Sequence, residues 1–64
     1  MVELYRFEKY GVSFIVTEEI MDGETFYILR EYVDGELMSA DKYQDKDRTL
    51  CIVKLRAAAM VGID

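Results

Sequence analysis

The 64-residue chain contains no histidine, no proline and a single cysteine, Cys51. Each absence removes something. Without histidine there is no imidazole for acid–base work near neutral pH, and a zinc site loses one of its main ligands. One cysteine cannot form a disulfide within the chain, so tight packing or a partner subunit must stabilise so small a scaffold. No apolar run approaches the ~20 residues of a membrane-spanning helix. The opening MVELYRFEKY carries Glu3, Arg6, Glu8 and Lys9 and does not read as a signal peptide. A lone cysteine fits a reducing compartment, so a cytoplasmic location away from membranes is expected. No cofactor or metal is expected.

What is present suits a folded domain. Hydrophobic residues make up 52% of the chain, and five tyrosines and three phenylalanines supply bulk. A disordered segment has a different composition. The length allows one domain, residues 1–64, burying about 60% of its extended surface with a stability of roughly 3–10 kcal/mol. The net charge is −5, unevenly placed. Residues 18–36 hold seven acids (Glu18, Glu19, Asp22, Glu24, Glu31, Asp34, Glu36) against Arg30 alone, whereas residues 1–17 sum to 0 and residues 37–64 to +1.

That acidic stretch contains Asp-Gly-Glu twice, at 22–24 and 34–36. A calcium loop of the EF-hand kind needs oxygen ligands at its first, third and fifth positions, glycine at the sixth and Glu at the twelfth. Aligning Gly23 at the sixth puts Ile20 third and Leu29 twelfth; aligning Gly35 puts Arg30 first and Tyr32 third. Both fail. A phosphate cradle fails too, because neither copy has further glycines or a Lys-Ser/Thr pair. Asp-Gly between hydrophobic runs is instead a strong hairpin signal. VSFIV and TFYILREYV, which flank the first copy, are rich in β-branched and aromatic residues.

The resulting expectation is an α+β fold: a four-stranded antiparallel meander, with strands near 2–9, 12–20, 25–33 and 36–39, covered on one face by a C-terminal helix near 46–61. SADKYQDKD reads as a polar loop or frayed helical turn. Asp45 or Asp47 caps the helix, three consecutive alanines favour it, and Gly62 suits the position past its end. A sixteen-residue helix spans about 24 Å, close to the ~26 Å of an eight-residue strand. The competing assignment makes TLCIVKL a fifth strand.

Two-residue turns set the register. One face then carries Tyr5, Phe7, Val12, Phe14, Val16, Tyr27, Leu29, Val33 and Met38, with Glu31 the discordant member unless a bulge moves it. The other carries Leu4, Arg6, Ile15, Phe26, Ile28, Arg30, Tyr32 and Leu37. That is unusually apolar for a face in water. Either it is a contact surface, with Arg6, Ile15, Phe26, Arg30 and Tyr32 as partner-binding candidates, or the SADKYQDKD loop partly covers it. On the helix, Leu50, Val53, Ala57, Met60 and Val61 suit the sheet, while Ile52, Leu55 and Ala59 form a second stripe, a candidate homodimer interface. Glu3, Glu18, Glu19, Asp22 and Glu24 converge at one end of the sheet with no base among them, either as an acidic site for a basic partner or as solvated hairpin charge.

Chemistry has little to work with. Cys51 lies within an apolar helical segment, where a thiol packs rather than reacts. Ser13 and Ser39 have no evident base, and so short a chain has little material from which to build a deep cleft. Acidity disfavours direct nucleic-acid binding. No motif assigns a family, although small acidic accessory proteins of phages and mobile elements have a similar composition. The leading expectation is a non-enzymatic protein-binding module, an inhibitor or regulator that occupies a partner's surface. The alternatives are a small-ligand or ion binder at an oligomer interface and a nucleic-acid mimic.

Overall fold

Three two-residue turns organise the chain. A computed structural model describes residues 1–62. At Tyr10-Gly11, Asp22-Gly23 and Asp34-Gly35 both central residues have positive φ, from 50° to 83°. This is the backbone of a type I′ hairpin, whose twist matches that of paired strands. The turns join β1 (Val2–Lys9), β2 (Val12–Met21), β3 (Glu24–Val33) and β4 (Glu36–Tyr43), and α1 (Lys46–Val61) follows. The strands lie side by side in chain order as one antiparallel sheet. The fold is the expected ββββα arrangement, and the segment offered as a fifth strand is helix.

β2 and β3 pair without interruption over ten residues each, from Met21↔Glu24 to Val12↔Val33. Both irregularities fall on the outer strands. The β1–β2 register shifts between Glu3 and Tyr5, leaving Leu4 as the extra residue, and Met38 is the extra residue of β4. Such bulges twist a strand and interrupt its ladder, which makes the bulged part of a free edge a poorer template for chance pairing.

The bulges correct the expected faces. Leu4 packs against the helix-side core rather than lying on the open face. Glu3, now opposite Thr17, joins the open face. Met38, expected in the core, is 59% exposed. Glu31 stays beside Phe14, since no bulge interrupts β2–β3. The fourth strand also runs four residues further than expected. SADKY continues it, so this segment is neither a loop nor a cover for the open face. Tyr43 packs against the core at its end, which gives the polar extension an apolar anchor.

The core centres on Phe14, Val16, Leu29, Val53 and Ala57, with the Phe7 and Phe14 rings stacked 6.0 Å apart. Asp45 caps α1, its Oδ1 accepting from the Arg48 N–H at 3.0 Å. Thr49 is fully buried, and its hydroxyl donates to the Asp45 carbonyl at 2.6 Å. The facing ridge is therefore Thr49–Val53–Ala57 at four-residue spacing. Ile52 packs on the core, so it does not belong to the outer stripe as expected; Val61, expected to face the sheet, is 61% exposed. Gly62 ends the helix with φ −73°, so its left-handed freedom is unused. The terminal carbonyl of Val61 instead accepts from Lys9 Nζ at 3.1 Å, a cation well placed for the negative end of the helix.

Candidate functional site

The helix covers one face of the sheet and leaves the other to solvent. The uncovered face is built from alternate residues of regular ladders. Ser13 stands opposite Tyr32, Ile15 opposite Arg30, Thr17 opposite Ile28 and Glu19 opposite Phe26. On the flanks Arg6 stands opposite Ile15, Leu37 opposite Tyr32 and Lys42 opposite Ile28. Arg6, Ile15, Phe26, Arg30 and Tyr32, the expected partner-binding residues, thus lie together on one surface.

Its middle is organised by a polar network. Arg30 Nη1 donates to Thr17 Oγ1 at 3.1 Å and to Glu19 Oε2 at 3.0 Å, and the Thr17 hydroxyl donates to the same carboxylate oxygen at 2.7 Å. The Thr17 bond, and next the Arg30 bond, hold the Glu19 carboxyl below the ordinary carboxylate range. Lys42 Nζ lies 4.6 Å from the centre of the Phe26 ring, a cation–π contact. Ile28, flanked by Phe26 and Arg30 along its strand and by Thr17 and Lys42 across it, is only 8% exposed although no element among the described residues covers this face. The long side chains shield the apolar floor. Leu37 remains open at 50% exposure, while Ile15, Phe26 and Tyr32 are half-buried.

The acidic end differs from the expectation that no base stands within it. Arg6 donates to Glu3 Oε1 through Nη2 at 2.7 Å and through Nε at 3.1 Å, and its Nη1 reaches Glu8 Oε1 at 3.0 Å. These bonds lower the Glu3 carboxyl and raise the Arg6 guanidinium. Glu3 and Glu19 are therefore paired. Glu18 points to the helix side of β2, and Asp22 and Glu24 are exposed at the hairpin tip. Glu18, Asp22 and Glu24 make no ion pair among the described residues. Among the described residues the unneutralised charge of this end is Glu18 with Asp22 and Glu24 at the β2–β3 tip, a smaller feature than the five-residue cluster.

On the outer face of α1, Leu55 is 66% exposed, and Cys51, Ala58 and Ala59 are also exposed. Cys51 was expected to pack; it sits instead on the helix side away from Val53. The described residues form no cavity or cleft and no cluster of three or more potential metal ligands. No helix among them is long and apolar enough to cross a membrane. No family model, curated protein or solved structure matches the chain.

Proposed function

We propose that this domain is a protein-binding module, acting as an inhibitor or regulator by occupying a partner's surface with its open sheet face. The observation that carries the reading is the uncovered face itself: a regular two-strand centre presents Ile15, Phe26, Arg30 and Tyr32 together, with no second layer over them among the described residues. Aromatic residues and arginine are the types that dominate contact energies at protein interfaces. The Arg30–Thr17–Glu19 network fixes the arginine before contact, which lowers the ordering cost of binding. The β2–β3 tip adds negative charge at one end, suited to steering a surface with a basic rim.

The test is placement of a photo-crosslinking side chain at position 32 or at position 55, one at a time, in the source cell. Adducts of a discrete partner are expected from position 32 and not from position 55. Combined reversal of Glu18, Asp22 and Glu24 to lysine should weaken the same adduct while the circular dichroism stays unchanged. Adducts formed from position 55 alone would remove the open face from consideration.

A further inference from the structure

We infer that β1 is a pairing edge for a second copy of this chain, joined antiparallel about a two-fold axis at Phe7, so that two four-stranded sheets become one of eight strands. The backbone parity supports it. In a two-residue hairpin the residues flanking the turn exchange hydrogen bonds, and bonded pairs then alternate. Counting from Lys9↔Val12, the N–H and C=O of Lys9, Phe7 and Tyr5 face β2, and those of Arg6 and Glu8 face outward. The same alternation, carried across β2 to β3, requires a bonded pair at Gly11 and Asp34, and the Asp34 N–H does donate to the Gly11 carbonyl at 2.8 Å.

Charge selects the register. Residues that share a face must pair, so each two-fold register of β1 on itself is defined by the residue at its centre. Centring on Arg6 stacks arginine on arginine, and centring on Glu8 stacks glutamate on glutamate. Centring on Tyr5 sets Arg6 against the bulged Leu4. Centring on Phe7 sets Arg6 opposite Glu8 of the second copy twice over, and Lys9 opposite Tyr5. Opposite charges directly across a ladder stabilise it and like charges destabilise it. Both side chains reach solvent, Arg6 at 49% exposure and Glu8 at 61%, and already pair within their own strand, so the pairs with the second copy extend an existing network. The stretch used, Tyr5–Lys9, is the part of β1 beyond its bulge. The other edge offers no such match. In β4 past Glu36 the only charged residues are Asp41 and Lys42, adjacent in the strand and so on opposite faces. The helix end also stands at the β1 edge, since Lys9 holds the Val61 carbonyl, and it brings the exposed Val61 side chain to the second layer of the same boundary.

Sedimentation equilibrium of the intact chain at low salt, from micromolar to millimolar concentration, reads the association. A dimer is expected. E8R alone and R6E alone each place like charges across both cross-strand pairs and should weaken self-association about tenfold or more. An equimolar mixture of the two variants restores opposite charges at every pair and should recover wild-type affinity as a heterodimer. Amide exchange supplies a second readout: the outward N–H groups of Arg6 and Glu8 should gain protection with concentration, while that of Phe7 is protected throughout. L55E, on the outer helix face, should leave the dimer intact. A wild-type chain that stays monomeric over the whole range overturns the inference. So does a dimer indifferent to both single reversals, or one dissolved by L55E instead.

Discussion

Replacing Gly11 and Gly35 by alanine, one at a time, separates the cost of a left-handed turn from the cost of a contact between turns. The two glycines have nearly the same backbone, φ +76° and φ +83°. Around Gly35 a β-carbon meets nothing within 4 Å. The expected cost there is the left-handed conformation alone, about 1–2 kcal/mol. At Gly11 the same carbon collides with Asp34 Oδ1, and the Gly11 carbonyl accepts the Asp34 N–H at 2.8 Å. Turning the Asp34 side chain off its rotamer adds roughly 0.5–1.5 kcal/mol, and weakening the bond between turns adds up to about 1 kcal/mol. G11A should therefore cost about 2–4 kcal/mol, a large share of a domain whose stability is roughly 3–10 kcal/mol. The difference between the variants corresponds to a midpoint about 5–15 °C lower for G11A. Urea and thermal unfolding followed by far-ultraviolet circular dichroism and tyrosine fluorescence measure it, since the chain has no tryptophan. A D34G background completes the cycle. Position 34 has φ +50°, which glycine adopts freely, and without the carboxylate G11A should cost no more than G35A. Equal costs for the two alanines in the wild-type background, or a G11A cost unchanged by D34G, would refute the reasoning.

D45A removes the helix cap and should cost about 0.5–2 kcal/mol in urea titrations, whereas D47A, whose exposed side chain caps nothing, should cost much less. Glu3 and Glu19 have lowered pKa values in the fold, so the stability they contribute is fully present above the ordinary glutamate value of about 4.3 and is lost as pH falls through their lower folded midpoints. Carboxyl-carbon NMR of T17V should show the Glu19 midpoint moving up toward the ordinary range, because the Thr17 hydroxyl is the first cause of its depression; an unmoved midpoint would overturn that order of causes.

The fold was legible because its punctuation is local. Asp-Gly at two turns states both the turn type and, through a two-residue loop, the register of everything between them. The third turn was less plain. Gly11 marks it, but Tyr10 at φ +52° is a residue that rarely accepts that conformation, and its ring contact with Lys9 Nζ at 4.9 Å joins residues adjacent in the chain. The helix bounds follow from the Asp45 cap and the alanine run. Thr49 was missed as a core residue because a buried threonine depends on where its hydroxyl goes, here to the carbonyl four residues back. The end of β4 was missed for a related reason. SADKY is polar by composition, and only Tyr43, whose partner is the distant core, gives it a reason to stay extended.

The placement of residues on the open face was legible at its centre and not at its rim, and one physical cause accounts for both. Residues on β2 and β3 have a bonded neighbour on each side, so an inserted residue would disrupt two ladders; Ile15, Phe26, Arg30 and Tyr32 therefore keep strict alternation. An edge strand has one neighbour, and an inserted residue costs fewer hydrogen bonds. Nothing in VELY or ELMS announces an insertion, since neither contains glycine. Yet the Leu4 bulge turns Glu3 onto the face of Arg6, where the two pair at 2.7 Å. A single extra residue at an edge thus changes the charge of the acidic end as well as its shape. The unpaired charge is carried by Glu18, Asp22 and Glu24, all on the β2–β3 hairpin, whose register leaves no room for such a shift. On the proposed reading, a basic partner rim would therefore meet this hairpin, with Asp22 and Glu24 at its tip and Glu18 opposite Val2 at the opening of β1.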